Sequence, residues 1–332
     1  MQVHENGVAR DSQTNHSRLT AMASTRDLTE MTAEQLQEFL DSFDVVLSDC
    51  DGVLWRLQDP IPGAMQTVNR LKELGKKVYL VTNNSTIGID QYCEKMGEGG
   101  LKVKPDDIIN TAKVISWYLK KINFRDEVFL IATTPFRQIL LENGIKLGPE
   151  NLEVTEWDQA ATVKTVLGLP SIKAVIVDFS IFFDWAKLAF AISCLKRKDV
   201  LYLTGAQDEW IICGHNIRVL GSGPLIDIIT TKSGRTPIQC AKPSEVLKEY
   251  VLKNCEVKDP KRCLIIGDTI QHDMKFGTLC GFTKLFVDTG LDKIEEATQN
   301  QEVRPDFYIP SLGMLCPILD SLQNPTVNGI HS

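Results

Sequence analysis

The sequence predicts an α/β protein: a parallel sheet packed with helices, carrying a second, smaller α/β unit in the middle of the chain. Three observations lead there. The apolar run Val45-Val46-Leu47 is followed by Ala64, Val68, Leu71 and Leu74 at helical spacing and then by Val78-Tyr79-Leu80-Val81. That is a strand–helix–strand unit whose strands should be parallel neighbours. A similar run, Leu264-Ile265-Ile266, recurs far downstream and, like the first, leads into a carboxylate. At 332 residues and 43% hydrophobic content, the chain exceeds one ordinary core and can fill two.

Residues 1 to 27 are polar and rich in Ser, Thr and Asn, with Glu5 and Asp11 among their basic residues, so they read as a disordered tail rather than an import peptide. From Met31, TAEQLQEFLDSF reads as a short helix with Thr32 and Gln35 at capping-box spacing. The first strand opens into Asp49-Cys50-Asp51-Gly52, Gly75 stops the next helix, and the second strand ends in Thr82-Asn83-Asn84-Ser85. Residues 28–123 thus supply one half of a core domain. Residues 124–237 hold their own alternation, with Val128 to Ile131, Ala174 to Val177 and Val200 to Leu203 as strands and Trp185 to Leu195 as a helix. The core resumes over 238–325 with the strands around Leu264, Lys284 to Val287 and Asp306 to Ile309; 326–332 form a C-terminal tail. There is no internal repeat.

A net charge of -7 and a pI near 5.4 give no electrostatic reason to bind nucleic acid or an anionic membrane. Nine cysteines with no C-x-x-C pair suit a reducing compartment better than a disulfide or zinc framework. No apolar stretch approaches a membrane span and the N-terminus lacks an apolar signal core, so the expected location is the cytoplasm.

Asp49 and Asp51 are two apart at the end of a strand, so their side chains point the same way at the sheet edge where α/β proteins collect ligands. Asp51-Gly52 also reads as a plain turn, and Asp-x-Asp-Gly opens calcium loops. The calcium reading fails because Pro60 falls where such a loop needs its bidentate Glu. Together with Thr82, Asn83 and Asn84, Lys242 in AKPSE, and Asp268 and Asp273, the pair makes a phosphoryl-transfer set. A carboxylate attacks phosphorus, and the rest is positioning and neutralisation of the phosphoryl oxygens, here by Lys242 and the Thr82 hydroxyl. Magnesium prefers hard oxygen ligands and keeps several waters, so Asp49, Asp268 and the Asp51 carbonyl suffice, with Asp273 close by. Asp51 would protonate the leaving alkoxide and then deprotonate the hydrolytic water. Each member has a plainer reading: Lys242 as a solvated lysine, Asp268 as a helix cap, Asn-Asn-Ser as a polar loop, and His272 as a lone exposed histidine. Order and placement after apolar strands favour the joint reading. Walker, G-x-S-x-G and H-E-x-x-H motifs are absent.

DCDGVLW, VTNNST, CAKPSE and IIGDTIQHDM, in that order, resemble the four motifs of the haloacid dehalogenase superfamily of phosphatases. DCDGVLW with TNNST is similar to the branch of 4-nitrophenylphosphatases, phosphoglycolate phosphatases and pyridoxal phosphate phosphatases. The likeness runs from about Phe43 to Leu322. It implies a Rossmann-like parallel-sheet core (HAD-like), an inserted α/β C2 cap domain, Mg2+ dependence, an aspartyl-phosphate, a small phosphorylated metabolite as substrate, and a homodimer commonly formed through the cap. By position it implies Asp49 as nucleophile, Asp51 as acid and base, Thr82 and Asn83 as phosphate binders, Lys242 as charge stabiliser and Asp268 as metal ligand, with Asp273 at the second acidic position of the last motif. The chain departs from the family in reading Ala241-Lys242-Pro243 for GKP and Gly267-Asp268-Thr269 with His272 for GDRxxTD. Ser85-Thr86-Ile87-Gly88 lacks the usual basic residues, and the cap carries Asp178-Phe179-Ser180 and Thr204-Gly205-Ala206 where relatives carry Gly-aromatic-Asp and Ala-Thr-Asn. These changes bear on substrate: phosphoglycolate, 4-nitrophenyl phosphate and pyridoxal phosphate are the candidates, beside a diverged relative serving as a binding module.

Overall fold

The computed structural model describes residues 25–152, 158–214 and 217–323. The expected tails therefore lie almost wholly outside the described residues. Two parallel sheets are built from β1 (Arg26–Asp27), β2 (Val45–Ser48), β3 (Lys77–Thr82), β4 (Ile108–Asn110), β5 (Glu127–Ile131), β6 (Lys146–Leu147), β7 (Ile172–Val177), β8 (Leu201–Thr204), β9 (Ile238–Gln239), β10 (Cys263–Gly267), β11 (Thr283–Val287) and β12 (Phe307–Ile309). The principal sheet runs β1-β12-β11-β10-β2-β3-β4 and the second runs β9-β8-β7-β5-β6.

The expected strand–helix–strand unit is β2, the helix Ala64–Glu73 and β3, and the two strands pair in parallel from Val45 opposite Lys77 to Ser48 opposite Leu80. Gly75 follows the helix at φ 81°, the left-handed conformation that glycine adopts without strain. The predicted first helix is Ala33–Asp41, and its capping box forms: Gln35 N–H donates to Thr32 Oγ1 and the Thr32 N–H to Gln35 Oε1. β10 inserts beside β2, Cys263 opposite Val45, so sequence-distant strands share the middle of the sheet.

Two boundaries differ from the sequence reading. Arg26–Asp27, assigned there to the tail, pairs with Phe307 and Tyr308 as an edge strand, with the Arg26 guanidinium over the Phe307 ring. Ile238–Gln239, placed at the return to the core, pairs with β8 and finishes the second sheet. β4 and β6 carry too few residues to show a period and were missed.

One face of the principal sheet packs Val46, Leu80 and Ile266 against Phe39, Val68 and Leu71. The other packs Leu47, Val81 and Ile265 against Ala112, Ile115 and Leu119 of the helix Thr111–Lys121, and this apolar layer continues into Val128, Leu130 and Ile176 of the second sheet. Each such aliphatic side chain contributes about 1.5–3 kcal/mol when fully buried. A third cluster, including Phe129, Val175, Phe190 and Tyr202, fills the far face of the second sheet.

Candidate active site

β10, β2 and β3 are adjacent and parallel, so their carboxyl ends open into one crevice, where Asp268, Asp49 and Thr82 emerge side by side. The Asp49 N–H still donates to the Ile266 carbonyl at 2.9 Å, which fixes the start of the 49–52 loop against β10. Lys242 arrives just after β9, through a cis Lys242–Pro243 peptide.

Lys242 is the hub. Its Nζ, 1% exposed, lies 2.9 Å from Asp49 Oδ2 and 2.7 Å from Asp273 Oδ1, and donates to the Val81 carbonyl at 2.9 Å. Those three partners use its three donors. Burial opposes its charge, but Asp273 and Asp49 outweigh burial and push its pKa up, so the ammonium is retained. The solvated-lysine reading is excluded. Asp273 Oδ2 accepts from the Thr269 hydroxyl at 2.6 Å and the Thr269 amide at 3.2 Å.

Asp49, Asp268 and Asp273 offer oxygens that all lie within 4.8 Å of one another. Burial drives the Asp49 carboxyl well above the usual carboxylate range; Lys242 opposes this, while Asp273 and Asp268 add to it. Burial, with Asp273, lifts Asp268 to about 7. One ammonium thus serves a cluster of carboxylates whose burial and mutual repulsion disfavour their charge. Asp268 Oδ2 accepts from the Leu291 amide at 2.9 Å, whereas its buried Oδ1 has no partner among the described residues. That donor set fits a divalent hard cation. Space around it is held by glycines: a Cβ on Gly52, at φ 80°, would lie 2.4 Å from Asp268 Oδ2, and one on Gly290 only 1.7 Å from it.

Asp51 is held from two sides, Oδ1 by the Trp55 indole N–H at 2.8 Å and Oδ2 by Asn84 Nδ2 at 3.2 Å. Thr82, 4% exposed, accepts the Asn84 amide on its hydroxyl at 3.0 Å. The Asn83 side chain serves Lys242 rather than facing the crevice: its Oδ1 accepts the Lys242 N–H at 2.8 Å and its Nδ2 donates to the Lys242 carbonyl at 3.1 Å. Asn84 is likewise engaged, with Oδ1 accepting from Thr86.

His272 is not the lone exposed residue expected. Its Nε2 sits 3.2 Å from Asp208 Oδ1, in the loop after β8, and its Nδ1 3.1 Å from the Lys242 carbonyl. Burial opposes its protonation, but the Asp208 hydrogen bond and charge prevail and raise it to about 9. From the same edge of the second sheet, Asp178 Oδ1 accepts from the Ser85 hydroxyl at 3.0 Å and the Phe179 amide at 2.6 Å. Asp208 and Asp178 reach the site only through tertiary contacts, whereas Trp55 lies four residues after Asp51 in DCDGVLW and needed only the direction of its N–H to be seen.

A protein-family model described as Haloacid dehalogenase-like hydrolase matches residues 46–146, and a second HAD-like hydrolase model matches 239–315. Glycerol-3-phosphate phosphatase of Gallus gallus is 30% identical over 318 residues, covering 90% of this chain and all of the relative. 4-Nitrophenylphosphatase of Schizosaccharomyces pombe is 29% identical over 288 residues, covering 85% of this chain and 96% of the relative. The crystal structure of a glycerol phosphate phosphatase from Mycobacterium tuberculosis in complex with magnesium has a TM-score of 0.65 at 20% identity, covering 82% of this chain and 76% of that one, a likeness of fold. With a whole-length relative at that identity and both halves of the principal sheet matched, the chain belongs to the haloacid dehalogenase-like hydrolase family, in its phosphatase branch.

Proposed function

We propose that the chain is a magnesium-dependent phosphomonoesterase that hydrolyses a small phosphorylated metabolite through an aspartyl-phosphate on Asp49. The observation that carries this reading is the buried ammonium of Lys242 shared between Asp49 and Asp273, next to a buried Asp268 oxygen without a partner among the described residues. Lys242 orients the Asp49 carboxylate and offers positive charge where phosphoryl oxygens would gather. Asp49, Asp268 and the Asp51 carbonyl would hold magnesium, which supplies charge neutralisation on the transferred phosphoryl group. Asp273 supports Lys242 from beneath, and Thr82 with the loop to Asn84 borders the phosphate. Asn83 acts through Lys242.

In this reading 28–123 and 238–325 are the core and 124–237 the C2 cap, adjusted at the edges by β1 and β9. The exposed Trp210, Ile217 and Leu220 on the hairpin Trp210–Gly214/Ile217–Leu220 support a homodimer formed through the cap. The eight cysteines whose side chains are described are free, which supports a cytoplasmic setting, and no helix among the described residues is long and apolar enough to cross a membrane.

Purified protein assayed on 4-nitrophenyl phosphate, with and without magnesium and beside Asp49→Asn, tests the reaction. Release that is independent of the metal or of Asp49 would remove it. A panel of phosphoglycolate, pyridoxal phosphate and glycerol 3-phosphate then ranks substrates; the last is included because a 30% identical relative bears its name.

A further inference from the structure

We propose that Trp55 is a positioning residue for the proton-transfer carboxylate: its indole N–H fixes Asp51 Oδ1, which makes Oδ2 the oxygen that carries the proton, and Lys95 seats the indole. The proposal rests on the reading of Asp51 as acid and base given above.

Both groups that face Asp51 only donate, so the oxygen held by the shorter bond is the stronger acceptor and is the one left unprotonated. At 2.8 Å, Trp55 Nε1 assigns that role to Asp51 Oδ1. Oδ2, at 3.2 Å from Asn84 Nδ2, can be protonated and still accept from the amide while directing its own proton outward. The indole is 1% exposed, so water does not compete for the bond. The loop turns tightly to bring it there: Leu54 N–H donates to the Cys50 carbonyl at 2.8 Å and Gly52 N–H to the Trp55 carbonyl at 2.7 Å. Lys95 Nζ lies 4.1 Å from the indole centroid and donates to the Leu57 carbonyl at 3.2 Å, a cation held over a π face. Tyr92, with its ring 6.0 Å from Trp55, donates its hydroxyl to the Asn84 carbonyl at 3.1 Å and so braces both donors of the clamp.

The clamp has work in both half-reactions. As an Asp49 oxygen bonds to phosphorus and the bond from phosphorus to the leaving oxygen breaks, the Oδ2 proton passes to that oxygen. Water then attacks the aspartyl-phosphate, Oδ2 takes its proton, and the bond from phosphorus to Asp49 breaks. The acid is thereby regenerated, and the net change is ester plus water to alcohol plus phosphate.

The test compares kcat/KM for phenyl phosphate and 4-nitrophenyl phosphate, which are alike in shape but differ in leaving group. kcat/KM reports the steps through ester cleavage, and phenol, titrating like tyrosine at about 10, needs the proton far more than 4-nitrophenol does. Trp55→Phe removes the N–H together with part of the ring, and the phenyl to 4-nitrophenyl ratio is expected to fall about tenfold, a part of what general acid catalysis supplies. Lys95→Met should lower the ratio in the same direction by less, and Lys95→Arg should restore it; this pair decides if Trp55→Phe does not fold. Equal losses on both substrates, with the ratio unchanged, would overturn the positioning role and leave the phosphatase reading standing. No release from either substrate by the unaltered protein would overturn both.

Discussion

His272 and Asp208 join the two sheets across the active-site seam: one imidazole nitrogen lies 3.2 Å from the Asp208 carboxylate while the other lies 3.1 Å from the Lys242 carbonyl. The loop after β8 is thus tied to the loop that delivers the central ammonium. Asp208→Asn and His272→Gln should each raise KM, and the double variant should cost less than the sum, with a coupling of about 1 kcal/mol. A double-mutant cycle on kcat/KM measures it; strict additivity would show the pair to be idle.

Lys242→Met leaves Asp49 and Asp273 facing each other without their shared counter-charge. Loss of a buried partner of this kind destabilises by about 3–5 kcal/mol. We expect a lower melting temperature and a fall in kcat of about a thousandfold, the upper range for losing one charge-stabilising donor. A variant that melts like the parent would mean that the carboxylates neutralise by protonation instead.

Metal should register without turnover. Magnesium ought to raise the melting temperature of the unaltered protein, by about 2.7 kcal/mol of stability at a hundredfold excess over Kd. Asp268→Asn should abolish the rise. EDTA should suppress phosphate release, and a rise that survives in Asp268→Asn would place the ion elsewhere.

Asp178 gives the stability a pH signature of defined sign. Burial lifts its carboxyl to about 6, against the opposing pull of the Phe179 amide and the Ser85 hydroxyl. The unfolded value is near 3.9, so between about 4 and 6 the folded state binds the extra proton, and this group's contribution to stability falls as pH rises through that window. Above it the loss persists. Asp178→Asn should flatten this slope and stabilise the protein at pH 7 by up to about 3 kcal/mol. Melting curves at pH 4, 6 and 7.5 check it, and an unchanged slope would assign the dependence to other groups.

The central strands and their terminal carboxylates were legible because β2, β3 and β10 are buried on both faces and so appear as unbroken apolar runs, each ending at the same edge. The helices Ala33–Asp41 and Trp185–Leu195 declared themselves by a capping box and by apolar periodicity. The rest depended on contacts that spacing does not encode. That the Asn83 side chain closes on the Lys242 backbone is one such contact. His272 reads as isolated because its partner lies in a loop of the other sheet. Trp55 reads as core, which it is, and only the direction of its N–H reveals a second role.

The helix Thr111–Lys121 has an architectural corollary. Its buried Ala112, Ile115 and Leu119 belong to a layer that also contains Leu47 and Ile265 from one sheet and Val128 and Ile176 from the other. Neither sheet can be excised without stripping this layer on one side, so heating should melt both together in a single calorimetric transition. Removing residues 124–237 would take away a wall that the rest of the building leans on, and the truncated protein should aggregate through the exposed helix face.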